Sequence, residues 1–142
     1  MKIIRITTDN EISVHDFPEG DYGGQNRALK ELIGPRCKLY EHVMPRRLYT
    51  EFGGSNRICR EPGSCVSMLV DEEGRYNDVG CNIAGSYLYE SDKHGCPILG
   101  NVLIVGETYG NDGIDFCGIS EGQFAILYPK LEKLTKKAGE YV

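Results

Sequence analysis

The sequence predicts a compact single α+β domain over residues 1–142, built on a strand-rich, mostly antiparallel sheet with two helices at about 24–33 and 121–137. Three observations predict it. Short β-branched runs of alternating polarity recur between clusters of Gly, Asn, Asp and Pro. One segment, Gln25–Ile33, places its apolar residues at i, i+3 and i+4, the spacing of one helical face, and a second helix is announced by the capping-box spacing of Ser120 and Gln123. One run, Ile98–Gly106 (ILGNVLIVG), is apolar enough to be buried on both faces, as a central strand is.

The elements follow in order. Lys2–Thr7 and Glu11–Phe17 alternate in polarity around the turn residues Thr8-Asp9-Asn10 and read as an opening hairpin. Gln25–Ile33 aligns Ala28, Leu29, Leu32 and Ile33 on one face, and Gly34-Pro35 stops the helix. Cys37–Val43 is the next strand. From Pro45 to Ser64 the periodicity breaks, predicting a strand fragment and then an irregular loop, with a loop insertion at about 46–65. Val66–Val70 is a buried strand entering the acidic turn Asp71–Gly74. Asp78–Tyr89 reads as a short helix or turn followed by a strand that carries Tyr87 and Tyr89 on one face, and Ser91–Gly95 as a polar loop. After the central strand, Glu107–Gly113 reads as a turn and Ile114–Gly118 as a strand. Ser120 and Gln123 have capping-box spacing ahead of the last helix, which Pro129 interrupts.

Composition bounds the function. Hydrophobic residues make up 40% and charged residues 26%, a globular balance. The net charge of −5 argues against duplex DNA as a partner, because that affinity depends on neutralising phosphates with Lys and Arg. The N-terminal apolar run is broken by Arg5 and fits no signal peptide, and no apolar stretch is long enough to span a membrane. A soluble, cytoplasmic protein is expected. The six cysteines, Cys37, Cys59, Cys65, Cys81, Cys96 and Cys117, are read as free and mostly buried thiols.

No catalytic set emerges. His15, His42 and His94 lie near no nucleophile motif, and the acids cluster in turns where water keeps their pKa ordinary. His94, Cys96, Cys81 and Cys65 are ligand types that zinc accepts, yet no C-x2-C pair is present, so no metal and no cofactor is predicted. The informative stretch is Gly53-Gly54-Ser55-Asn56-Arg57 with Arg60, preceded by Arg46 and Arg47. Paired glycines free successive backbone N–H groups to form an anion-binding nest, and guanidinium groups pair with phosphate in a bidentate manner. Tyr87 and Tyr89 could stack on a base.

The order of VSMLVDEEG (Val66–Gly74), Asn82 with Tyr87-Leu88-Tyr89, ILGNVLIVG (Ile98–Gly106) and GISEGQ (Gly118–Gln123) resembles domain of unknown function family 3846. So does ALKELIGP (Ala28–Pro35). The members are small proteins of phages, plasmids and conjugative elements. The resemblance weakens over Arg46–Cys65. It implies a mobile-element accessory protein in a bacterial host cell, and places Asn82 at a recurrent asparagine with no attached role. The resulting expectation is a non-catalytic binder that sequesters an anionic or nucleotide signal against host defence. A protein that inhibits a host protein by contact is the alternative, and a small nucleotide hydrolase the third. A homo-oligomer is expected, since sheet edges need cover.

Overall fold

A computed structural model describes residues 1–56, 61–110 and 113–140. The predicted hairpin is present as β1 (Lys2–Ile6) and β2 (Ile12–Asp16), paired from Lys2↔Asp16 to Ile6↔Ile12. Helix α1 (Tyr22–Ile33) begins three residues earlier than its apolar periodicity suggests, because the Asp21 carboxylate accepts from the Gly24 N–H and caps it. Strand β3 (Tyr40–Val43) follows.

The next segment departs from expectation. Arg46–Thr50 forms helix α2 where a strand fragment was predicted. Pro45 stands at its N-cap with φ −81°, and Leu48 is drawn fully into the core, so one turn of helix replaces the extended run. Strand β4 (Cys65–Asp71) is buried at every position. A second departure comes at Asn82, which caps helix α3 (Ile83–Leu88). Tyr87 therefore sits inside a helix and Tyr89 at its C-cap, not together on a strand face. Ser91–His94 forms a single helical turn, α4, where a loop was predicted.

Strand β5 runs from Val102 to Gly110 and so absorbs the predicted turn at Glu107–Gly110, which pairs with β6 (Gly113–Cys117) from Gly106↔Cys117 to Gly110↔Gly113. The chain closes with α5 (Glu121–Gly139), whose first turn donates from the Gln123 N–H to Ser120 Oγ. Pro129 lies on its exposed side, where water can satisfy the carbonyl left without a donor.

All strand pairs are antiparallel, in the order β2-β1-β5-β4-β3, with β6 also against β5. The five helices and six strands of the described residues keep the predicted α+β class while exceeding the two helices expected. Alternation along the strands sends Ile3, Leu69, Leu103 and Val105 to one face, where Leu29 and Ile33 of α1 cover them. Ile4, Ile6, Val66, Met68, Val102 and Ile104 point to the other, beneath Leu48, Ala84, Leu88, Leu127 and Leu131 of α2, α3 and α5. The molecule is thus three layers deep, and its helices α2, α3 and α5 share one side. The stretch read as an insertion supplies part of that core through Leu48 and Tyr49.

Gly63 fixes one crossing of the chain. It has φ +81°, and a Cβ there would strike the Gly118 carbonyl oxygen, so only glycine fits between β5 and the end of β6.

No described helix is long and apolar enough to cross a membrane. Of the five described cysteines Cys37 and Cys65 are buried, Cys117 is half-buried, and Cys81 and Cys96 are exposed, so the expected burial holds for part of the set. Burial pushes the Cys37 thiol up to about 11, with the charge of Asp71 adding to the effect. Cys59 lies outside the described residues.

Candidate anion-binding cleft

The structure brings the described residues singled out in the sequence together in two groups, Arg46, Gly54, Ser55 and Asn56 around one depression and Arg47 against Tyr87, with Asn82 apart in the core. Arg57 and Arg60 lie outside the described residues. The Gly53–Asn56 loop is described, and its two central amides are already engaged: the Gly54 N–H donates to the Leu48 carbonyl at 2.9 Å and the Ser55 N–H to Gln123 Oε1 at 2.9 Å. Gln123 Nε2 returns a bond to the Gly53 carbonyl at 3.1 Å. An anion nest needs successive N–H groups facing outward. At Gly54 and Ser55 these bonds replace the predicted nest with a clamp between the loop and α5. Gly53, at φ +81°, brings its backbone so close to α5 that a Cβ would lie 2.9 Å from Ile126 Cγ2. Asn56 is exposed at the loop's end, beside a depression of about 860 Å³ that Arg46, Tyr49 and Ser55 also line.

Arg47 is equally committed. Its Nη1 and Nη2 grip Asp92 at 2.6 and 2.9 Å, Nη1 also donates to the Tyr87 carbonyl at 3.0 Å, and the guanidinium lies 4.4 Å from the Tyr87 ring centroid. This fork ties α2 to α3 and α4 and holds the Asp92 carboxyl below its ordinary range. Arg46 is mostly exposed, with Nε 3.8 Å from Glu90. Asn82 is fully buried: Oδ1 accepts from the Gly85 N–H, while Nδ2 donates to the Ile6 and Gly100 carbonyls at 3.0 Å each. It joins α3 to β1 and to the approach of β5, and its complete burial presents nothing to a ligand. Tyr89 is half-buried against the core and meets the His94 ring edge-on at 4.7 Å.

Of the predicted residues that are described, Arg46, Gly54, Ser55 and Asn56 line the depression at the loop's end, and Tyr87 lines a second cavity. A cleft of about 590 Å³ opens between α5 and the α2–α3 side, lined by Glu51, Phe52, Ile83, Tyr87, Leu134 and Ala138, with Lys130, Lys133 and Lys137 along α5. That volume lies in the range of small-molecule sites, about 300–1,000 Å³. The Phe52 and Tyr87 rings stand 6.5 Å apart at 60° on one wall. The Tyr87 hydroxyl donates to Glu51 Oε2 at 2.6 Å, and this bond raises its pKa, so it remains a protonated donor.

The ion pairs of the described residues engage Lys2, His42, Arg46, Arg47 and Lys93, and none engages the three cleft lysines. The result is an apolar floor, an aromatic wall that carries the Glu51 carboxylate, and a row of ammonium groups with no ion pair among the described residues. Sequence reading overlooked the row, although Lys130, Lys133 and Lys137 recur at i, i+3 and i+7, a single helical stripe. Lysines near a helix C-terminus have an ordinary role in complementing its dipole, which makes such a row inconspicuous.

No three His, Cys, Asp or Glu side chains gather as a metal site among the described residues. His42 Nε2 lies 3.8 Å from the buried Glu107, which accepts from Ser67 Oγ. Ser67 is wholly buried and its hydroxyl points at the carboxylate rather than the imidazole, so these three do not form a nucleophile–base relay.

Fold and site together define a three-layered α+β domain with a lysine-rimmed aromatic cleft. Comparison with known proteins returns no relative to set beside it: no family model, no curated protein and no solved structure matches the chain.

Proposed function

We propose that the protein is a non-catalytic binder that holds a small anionic ligand, of nucleotide type, in the cleft between α5 and the α2–α3 side. The observation that carries this reading is the row Lys130, Lys133 and Lys137, unpaired among the described residues, over an apolar and aromatic lining. Ammonium groups supply charge-assisted bonds to phosphate, while Phe52 and Tyr87 offer ring faces to a base. The resemblance to small proteins of phages and mobile elements supports a role in the host cytoplasm, sequestering a signal that host defence uses. Calorimetric titration with mono-, di-, tri- and cyclic nucleotides tests the reading. Saturable binding that weakens with salt and on Lys133→Ala is expected, whereas no heat from any member of the panel would refute it.

A second reading, contact with a protein, is favoured by β3. This strand ends the sheet and is flanked by Leu39 and Met44, which are 51% and 49% exposed. Such an edge invites pairing, with a second copy or with a host factor. Sedimentation of the wild type against Leu39→Lys/Met44→Lys tests the homo-oligomer: a monomer in both removes it.

A further inference from the structure

We propose that Glu51 sets the specificity of the lysine cleft, favouring a nucleotide whose base presents two adjacent N–H donors, as guanine does, over one that does not, as adenine. The inference rests on the reading of this cleft as a nucleotide site and goes on to name the base.

Glu51 is the C-cap residue of α2 and the one carboxylate among the described residues that line the cleft. Two contacts hold it. Tyr87 donates its hydroxyl to Oε2 at 2.6 Å, and Arg47 Nε stands 3.9 Å from Oε1. The latter distance is too long for a hydrogen bond, and both terminal nitrogens of Arg47 are committed to Asp92. Oε1 is therefore positioned by its neighbours while keeping acceptor capacity.

An ionised carboxylate only accepts. Beside it a phosphate is repelled, so the anionic end of a ligand belongs at Lys130, Lys133 and Lys137 on the α5 side, and the end presented to Glu51 must carry donors. Phe52 follows Glu51 in the chain and Tyr87 is hydrogen-bonded to it, so a base laid against the two rings turns an edge towards the carboxylate. Guanine offers N1–H and N2–H side by side, which matches the two acceptor positions of a carboxylate. Adenine offers one amino group next to the N1 lone pair, which faces the same negative charge. A site that hydrogen-bonds a polar edge rejects an analogue unable to complete the bonds far more strongly than an apolar pocket rejects one of slightly different shape.

The test is calorimetric titration of the full chain with GMP, GDP, AMP, ADP and inorganic pyrophosphate, for the wild type, Glu51→Gln and Tyr87→Phe. The wild type is expected to bind GDP about tenfold or more tighter than ADP. Glu51→Gln should remove most of that preference and leave pyrophosphate as tight or tighter, since a negative charge has gone. Tyr87→Phe keeps the ring, frees the carboxylate, and should reduce the preference by a smaller factor, which decides the matter if Glu51→Gln fails to fold by its melting curve. Equal affinity for GDP and ADP in the wild type overturns the role of Glu51, as does a Glu51→Gln effect identical for the two. In both cases pyrophosphate binding sensitive to Lys133→Ala would leave the cleft itself standing. Absence of binding by all five probes would end both readings.

Discussion

The Gly53–Asn56 loop and the lysine row of α5 are neighbours, with Lys130 Nζ 3.8 Å from the point a Gly53 Cβ would occupy, yet they differ in what their donors are doing. In the loop, the amides of Gly54 and Ser55 are bonded to Leu48 and Gln123, and the adjacent Arg47 is bonded to Asp92 and Tyr87. On the helix, three ammonium groups line a cavity with no ion pair among the described residues. Both stretches look equally suited to an anion by residue type. What separates a site from a clamp is whether the donors are already satisfied, because a buried donor that loses its partner costs more than a typical bond gains.

That contrast predicts a steep division between stability and binding effects. The largest stability loss is expected at Asn82→Ala, which strips partners from the Ile6 and Gly100 carbonyls and the Gly85 N–H at once. With about 1–3 kcal/mol for each buried group left unsatisfied, a loss of about 3 kcal/mol or more should appear as a lower urea midpoint. Were Asn82 a ligand contact, the variant would instead lose binding with its midpoint unchanged. Next comes Gln123→Ala, which orphans the Ser55 amide and the Gly53 carbonyl and should cost about 1–3 kcal/mol by the same measurement. Gln123→Glu sharpens the comparison, since it keeps the acceptor for Ser55 and loses only the donor to Gly53.

Lys133→Ala should behave in the opposite way. Its urea midpoint should imply a change within about 0.5 kcal/mol, as for exposed positions elsewhere. Its nucleotide affinity should fall about tenfold, the worth of one charge-assisted bond.

The smallest effect is expected from pH. Arg47 holds Asp92 below its ordinary 3.8, so the folded state binds that proton less readily than the unfolded chain. Stability from this pair is then full above the ordinary value and is lost as pH falls through the depressed one. Urea midpoints between about pH 5 and about pH 3 should decline less in Arg47→Ala than in the wild type. The pair is exposed on the Asp92 side, so solvent screens it and the difference should be slight.

Much of the architecture was legible. The β1–β2 hairpin, α1 with its Gly34 stop, buried β4, central β5 and Ser120-capped α5 all follow from periodicity and turn chemistry that act within a few residues. The Ser120–Gln123 capping box was half right. Ser120 caps, but the Gln123 side chain turns away to hold the Gly53–Ser55 backbone. Arg46–Thr50 and the strand expected at Tyr87 and Tyr89 were misread because the helices there, α2 and α3, are each shorter than two turns, too short for a 3.6-residue period to show. The signal that could have corrected the second was Asn82 itself, an N-cap residue type standing before Ile83.

By itself, then, the amino-acid sequence determined the α+β class, the antiparallel core and the long helices, since these depend on alternation, helical spacing and caps read along the chain. Only the tertiary structure decided which polar groups are occupied: it bound Gln123 to a loop about 70 residues away, joined Arg47 to Asp92, and left Lys130, Lys133 and Lys137 facing Phe52 and Tyr87. The physical reason is that hydrogen-bond satisfaction is a property of partners in space, and every one of those partners is remote in the chain.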